Sequence, residues 1–357
     1  MKLEAAVIGL GRIGFEYSLD SKRVQPASHL GCFHGFKENI LPSYKLLEDI
    51  AICDVDTVKL AKATKFFGLN FENRFTDYTE MMEKFQPDIV SIATPTPTHY
   101  KITCDIANLG EQVGTKMVLL EKPIAQNLEQ AAAIIRICKH FKVGLAVNYS
   151  RRWSPLYWKV KRLMQTEIGD VVSLIGVHHG PLLRTGSHML DLFDFLLEKP
   201  ALTVQAFGDP EDNYLTLKSA ANDYNLNGNI VFETGVSAVL LSGPQKPYLL
   251  FELDILGTEG RIKVTDNGRN LAVYKSGASR FYEDIKELTI NHTSTIPNEN
   301  LLFGVIESLV RNAKIECTGK DAARTLRTAL AIHCSSVNGN SIVAVKDVPE
   351  DYEVKSH

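Results

Sequence analysis

The sequence predicts an α/β chain of two domains, the first built on a buried parallel sheet with helices between its strands. Three observations carry this. An apolar run, Ala5 to Ile8, leads straight into Gly9-Leu10-Gly11-Arg12-Ile13-Gly14. Short apolar runs then alternate with amphipathic stretches as far as Asn148, the pattern of a sheet covered on both faces. The chain has 357 residues, more than one core usually holds, and a boundary after Asn148 gives domains of 1–148 and 149–357.

The glycine stretch reads as a dinucleotide-binding turn, so the first domain is expected to be of the Rossmann type. Gly9 permits a tight turn out of the strand, Gly11 lets a pyrophosphate approach the backbone, and Gly14 lets the following helix lie close to the sheet. Phosphates would sit on the main-chain N–H groups of this turn, those of Arg12 and Ile13 included. The second strand, Ile50 to Cys53, ends at Asp54, 40 positions after Gly14. The usual spacing to that acidic residue is about 20. The extra chain, 15–49, reads as a short helix, a polar loop from Asp20 to Ala27, and a second helical piece capped by Ser28. Such a loop either works at the cofactor crevice or is a plain surface insertion. Asp54 is placed to accept hydrogen bonds from a ribose 2′-hydroxyl and would repel a 2′-phosphate, which favours NAD; Lys59 nearby keeps NADP open. A helix N-cap is the other reading of Asp54.

Helices follow at Thr57 to Phe67, stopped by Gly68, and at Tyr78 to Phe85. The strand from Pro87 to Ala93 runs into Thr94-Pro95-Thr96-Pro97-Thr98-His99, with Thr98 as the expected cap of the next helix. This turn lies at a strand's carboxyl end, where open α/β sheets bind ligands, so Thr94, Pro95 and His99 are cofactor candidates. A purely structural hydrogen bond is the alternative for His99. The next strand, Met117 to Leu120, ends in Glu121-Lys122-Pro123. Packing explains poorly a lysine held between a buried strand and a proline. An amine there can hydrogen-bond a substrate hydroxyl and stabilise the alkoxide formed as hydride leaves. A cis Lys122–Pro123 bond is expected. A helix over Leu128 to Phe141 and a strand over Val143 to Asn148 complete this half.

With these pieces in order the chain resembles the glucose–fructose oxidoreductase/inositol dehydrogenase/MocA family. The carrying motifs are the glycine turn, Ile92-Ala93-Thr94-Pro95 with His99, Glu121-Lys122-Pro123, and Asn148 with Arg151-Arg152-Trp153. Ile168-Gly169-Asp170, His188-Met189-Leu190-Asp191 and Gly257-Thr258-Glu259-Gly260 continue the series. The resemblance implies a C-terminal α/β domain on a large, mostly antiparallel open sheet. It implies NAD(P)-dependent oxidation or reduction of a carbinol in a sugar, sugar acid, cyclitol or nucleotide-sugar, with Lys122 catalytic and Glu121 beside the cofactor. It also implies substrate contacts from Asn148 and Arg152, and a homo-oligomer, dimer or tetramer, formed through the open sheet face.

In the second half, Pro155 to Thr166 reads as a helix and Val171 to His179 as a strand, which sends His178 and His179 to opposite faces. A helix begins within Arg184-Thr185-Gly186-Ser187-His188 and continues through Phe195. His188 and Asp191 share a face one turn apart. Relatives commonly use a histidine here as acid/base with the lysine, and many place an aspartate four residues earlier, where this chain has Arg184. Arg184 would bind a carboxylate or phosphate of the substrate, or it is surface charge; Asp191 would contact substrate or simply satisfy His188. Strands are expected at Leu202 to Phe207, Tyr214 to Lys218, Asn229 to Leu241, Leu249 to Leu256 and Gly260 to Val264. Asn227-Gly228 and Asp266-Asn267-Gly268 are turn signals. Helices over Leu301 to Ala313 and Asp321 to Val337, the latter capped by Asp321, precede a frayed end from Asp347.

Composition narrows the class. With 45% hydrophobic and 23% charged residues the chain is ordinary globular protein, and a net charge of −3 argues against a broad nucleic-acid surface. No apolar run is long enough for a membrane span and no leader pattern opens the chain, so a cytoplasmic location is expected. The six cysteines lack C-x-x-C spacing, which points to reduced buried thiols and no metal site. Two further readings remain at this level: a redox-neutral, NAD-dependent glycosidase or lyase, and a dinucleotide-sensing regulator without turnover.

Overall fold

The computed structural model describes residues 3–39, 47–208, 223–243, 250–277, 286–288, 304–309 and 312–355. It divides into two compact units: Met1–Trp153 with Ile296–Ala322, and Ser154–Thr295 with Ala323–His357.

The first unit holds a six-stranded sheet of β1 (Leu3–Ile8), β2 (Leu47–Cys53), β3 (Arg74–Phe75), β4 (Ile89–Ile92), β5 (Met117–Leu120) and β6 (Gly144–Val147). Every pairing among these strands is parallel, in the order β3-β2-β1-β4-β5-β6. The chain therefore steps outward from β1 to β3 and returns to start again at β4, which opens a crevice at the carboxyl ends of β1 and β4. All residues of β4 and β5 are buried, as helix-covered faces require. The helices are α1 (His29–Asn39), α2 (Thr57–Phe67), α3 (Tyr78–Phe85), α4 (Thr96–Val113) and α5 (Leu128–His140). The free edge of β6 is covered by the later segment: Thr318 pairs antiparallel with Ala146, and Val147 N–H donates to the Cys317 carbonyl at 3.0 Å. That pairing draws Ile296–Ala322 into the first unit, so the division is more complex than one boundary after Asn148.

The second unit carries α6 (Pro155–Glu167), α7 (Ser187–Leu197) and most of α8 (Gly319–Val337). Its sheet comprises β7 (Val171–His179), β8 (Ala201–Phe207), β9 (Asn227–Phe232), β10 (Ser237–Gly243), β11 (Phe251–Gly257), β12 (Gly260–Thr265), β13 (Asn270–Lys275), β14 (Lys286–Leu288) and β15 (Val343–Ala344). The order is β14-β13-β12-β11-β7-β10-β9-β8-β15, and only β7 with β10 is parallel. One face is buried, with Ala238, Leu174, Ile255 and Ile262 in register. Gly176 on that face admits α7, since a Cβ there would lie 2.4 Å from Met189 Cγ. The opposite face carries Ile175, Val177, Val239 and Leu241 with Val231 and Leu256, the last two exposed.

Several elements differ from the sequence reading. No regular helix follows the glycine turn; the chain makes a 3-10 turn, Glu16–Leu19, and the first α-helix waits until His29. Ser28 does cap it, its Oγ accepting from Gly31 N–H at 2.9 Å. Thr98 is no cap, because α4 already begins at Thr96, where Pro97 suits the first turn. The expected single strand from Asn229 to Leu241 is two strands around a turn at Gly235, and Asn227-Gly228 opens β9 rather than turning. Asp321 is the third residue of α8, and it exchanges bonds with Thr318, which takes the cap position. Of the helix expected at Leu301 to Ala313, 304–309 is helical, 312–313 is not, and the rest lies outside the described residues. Tyr214 to Lys218 also lies outside them. The chain end is packed as far as it is described: Val348 and Val354 are buried, and Tyr352 Oη lies 2.7 Å from His333 Nδ1.

Candidate active site

The glycine turn is built by steric necessity. Gly9 has φ +91°, and a Cβ on it would stand 2.7 Å from the Ala93 carbonyl oxygen. A Cβ on Gly14 would stand 1.9 Å from the Gly9 oxygen, so this glycine closes the turn on itself. Gly11 is different: a Cβ there would meet nothing within 4 Å, and it faces open space. Among the described residues the N–H groups of Gly11, Arg12 and Ile13 reach no acceptor, which leaves them for an anion. The carbonyls of Ile13 and Gly14 accept from His29 and Leu30 N–H at 2.9 and 3.0 Å. The helix that should have continued from the turn thus resumes after the excursion. The excursion is stapled at its base by Ser18 and Ser28, whose hydroxyls are 2.6 Å apart, and inside by Gln25, which donates to the Tyr17 and Asp20 carbonyls.

Asp54 sits half-exposed beyond β2. Its Oδ2 accepts from Leu10 N–H at 2.6 Å and its Oδ1 from Asp56 N–H at 2.9 Å, which ties the turn to the strand end. The cap of α2 is Asp56, which accepts from Val58 and Lys59 N–H. Thr94 Oγ1 lies 2.7 Å from the Thr98 hydroxyl, and Pro95 precedes α4. His99 is buried between two carbonyls, with Nδ1 2.8 Å from Pro123 O and Nε2 2.9 Å from Thr94 O. It joins the turn after β4 to the turn after β5. Burial pushes its pKa down, against the pull of those carbonyls, so the ring donates to one of them as a neutral imidazole.

Glu121 is the centre of a buried polar cluster. His29 Nε2 lies 2.7 Å from Glu121 Oε1, and Asn148 Nδ2 donates to the same oxygen at 2.5 Å. Lys122 N–H reaches Oε2 at 3.3 Å, and His29 Nδ1 lies 2.5 Å from Ser91 Oγ. Burial alone pushes the Glu121 carboxyl up; the hydrogen bond and charge of His29, the nearby Lys122 and the Asn148 amide outweigh it and hold the group below the usual carboxylate range. Asn148 Oδ1 is buried without a partner among the described residues. Lys122 is half-buried and its bond to Pro123 is cis, as expected. Sequence reading did not single out His29 or Ser91. They stand 92 and 30 positions from Glu121, and the one local signal was a histidine directly after a helix cap in an apolar stretch. Arg152 is buried with Nη1 3.6 Å from Asp321 Oδ1.

In the second unit a π-helical turn, Leu182–Gly186, leads into α7. Arg184 and His188 are half-buried, and the Asp223 carboxylate accepts the N–H groups of Leu183 and Arg184 at 2.8 and 3.1 Å. Asp191 is buried and accepts from Thr325 Oγ1 at 3.2 Å, so its carboxylate is engaged within the unit. His178 lies under the π turn, where a Cβ on Gly186 would come within 2.9 Å of its ring. Its Nε2 has no partner among the described residues, and burial pushes its pKa down to about 4. All six cysteines are free thiols, and burial raises those of Cys53 and Cys138 to about 12. Among the described residues no group of His, Cys, Asp or Glu is arranged to hold a metal, and no helix is long and apolar enough to cross a membrane.

Known proteins match both halves. Residues 3–149 fit the model of an oxidoreductase family with an NAD-binding Rossmann fold, and residues 177–345 fit that family's C-terminal alpha/beta domain. The chain is 24% identical over 277 residues to scyllo-inositol 2-dehydrogenase (NAD(+)) of Bacillus subtilis, 73% of each chain. It is 31% identical over 139 residues to D-apiose dehydrogenase of Paraburkholderia graminis, a stretch of only 38% of this chain and 35% of that one. Its fold superposes on levoglucosan dehydrogenase in complex with NADH with a TM-score of 0.78 at 17% identity, covering 98% of this chain and 100% of the other.

Proposed function

Because the chain belongs to the glucose–fructose oxidoreductase/inositol dehydrogenase/MocA family, oxidoreductases with an NAD-binding Rossmann fold, we propose that it moves a hydride between nicotinamide and a sugar-like alcohol or ketone. The substrate class is a sugar, sugar acid, cyclitol or nucleotide-sugar. The observation that carries the reading is Lys122, at the carboxyl end of a central buried strand, beside an ionised Glu121.

The glycine turn fits a dinucleotide: Gly11 faces open space, and three N–H groups around it lack acceptors among the described residues. Gly11, Arg12 and Ile13 would hold the pyrophosphate, on a turn shaped by Gly9 and Gly14, and Asp54 the adenosine ribose. The acid favours NAD, with NADP as the alternative. Thr94, Pro95 and His99 would line the cofactor, with Glu121 and Lys122 at its reactive end. When bound, NAD supplies the hydride acceptor. Lys122 binds the reacting oxygen and carries its proton or disperses its developing charge. His188 is the acid–base candidate of the second unit, and Arg184 would read an acidic group on the substrate. Asn148 and Arg152 are substrate candidates of the first unit. Asp191, which accepts from Thr325, is the substrate candidate that accompanies His188 on α7.

The test is the absorbance of reduced nicotinamide during incubation with sugars, cyclitols, sugar acids and nucleotide-sugars, with NAD and with NADP, beside Lys122→Ala and His188→Ala. Turnover that falls at least about a thousandfold in Lys122→Ala supports the reading. Tight NADH binding without turnover of any class in the panel overturns the dehydrogenase reading in favour of a redox-neutral enzyme or a sensor. We also propose a cytoplasmic homo-oligomer, dimer or tetramer, joined through the open sheet face that carries Val231 and Leu256.

A further inference from the structure

We infer that His29 is a positioning residue for the hydride-transfer site: its imidazole N–H fixes the Glu121 carboxylate, which in turn fixes the main chain of Lys122. The inference rests on the reading of Lys122 given above. It assigns a task to the excursion after the glycine turn, which is to bring the chain back with His29 at the first position of α1.

The geometry is specific. Glu121 Oε1 takes its bonds from His29 and Asn148, and Oε2 takes the Lys122 N–H. His29 is held in turn by Ser91 on β4 and, through its main chain, by the Ile13 carbonyl of the glycine turn. One residue therefore links the phosphate turn, the end of β4 and the lysine turn after β5. Ser91, His29 and Asn148 are each at least nine-tenths buried, so water cannot replace a lost donor cheaply. The charged and titratable groups facing Glu121 are His29 from α1, His99 from α4 and Lys122 from its own turn. His29 is bonded to a carboxylate oxygen through its side chain. If its donor is removed, burial acts on Glu121 with less opposition, and the carboxyl takes up a proton nearer neutral pH. Lys122 then loses both its ionised neighbour and the acceptor that fixes its backbone.

The experiment follows Glu121 directly. Chain labelled with 13Cδ glutamate is titrated by NMR, with the Glu121 signal assigned by Glu121→Gln, in the native sequence, His29→Leu, His29→Gln and Ser91→Ala. NADH binding is measured by nicotinamide fluorescence on the same samples. The native and His29→Gln chains should keep Glu121 titrating below the usual carboxylate range, whereas His29→Leu should move that titration to higher pH. Its NADH affinity should fall about tenfold on the acid side of the new midpoint and recover above it. Ser91→Ala, which keeps the imidazole, should shift Glu121 upward by less and guards against a His29→Leu chain that fails to fold. An unchanged Glu121 titration in folded His29→Leu, or in Ser91→Ala if the former does not fold, overturns the inference alone. A native chain that does not bind NADH overturns the functional reading and the inference together.

Discussion

Gly11 and Gly14 belong to one turn, yet a single methyl group should separate their roles. Gly11→Ala adds a Cβ with no atom within 4 Å, so the melting temperature should hold while NADH binding weakens by about tenfold or more, as the methyl enters the space of the pyrophosphate. Gly14→Ala drives a Cβ to 1.9 Å from the Gly9 oxygen and should cost about 2 kcal/mol or more in stability as well as binding. Calorimetry paired with fluorescence titration distinguishes the two. His178 supplies a prediction in pH. Its folded pKa is about 4 against an ordinary 6.5, so the unfolded chain binds a proton there that the folded chain refuses. The contribution to stability is complete above pH 6.5 and is lost progressively as pH falls toward about 4, at roughly 1.4 kcal/mol per pH unit at most. Thermal melts of His178→Asn should have a shallower acid limb. The positions of Lys122 and Asp54 at strand ends were legible because an apolar run leads into each. His29 was not, since its partners come from β4 and from the turns after β5 and β6, and a histidine behind a helix cap does not announce a contact across 92 positions.

Helix and strand starts follow local chemistry where that chemistry is unambiguous. Asp56 accepts two N–H groups of α2, and Asp56→Ala should lower stability by about 1 kcal/mol with unaltered NADH affinity, a melting experiment again deciding. Ser28 was readable as a cap for the same reason. Thr98 misled because a threonine before an apolar stretch has the look of a cap, while Pro97 two residues into α4 had already set the helical φ. Asn227-Gly228 misled because its turn propensity yielded to pairing with β8 and β10. The π turn at Leu182–Gly186 left no sequence signature beyond Gly186, whose lack of a side chain is explained by the ring of His178 beneath it.

At the scale of the molecule the two sheets were unequally legible. Strands of the first such as β4 and β5 are apolar on both faces and stand out as runs, so its parallel sheet could be expected from the alternation with helices. The second alternates along each strand, and its outer members β13, β14 and β15 are short or polar enough to escape notice. The return of Thr318 to the edge of β6 was invisible because it depends on a single bridge. The open face of the second sheet yields a solution test: Val231→Glu should shift an oligomer toward smaller species in light scattering, with its far-UV spectrum retained. The excursion between Gly14 and His29 carries one more consequence, for those who would rebuild the protein. Its ends meet at a hydroxyl pair 2.6 Å across, and the helix hydrogen bonds are closed beneath it, so the chain enters and leaves through one narrow neck. Such a neck is a natural splice point. A reporter peptide grafted between Lys22 and Arg23 would hang outside the helix register without relocating a single strand.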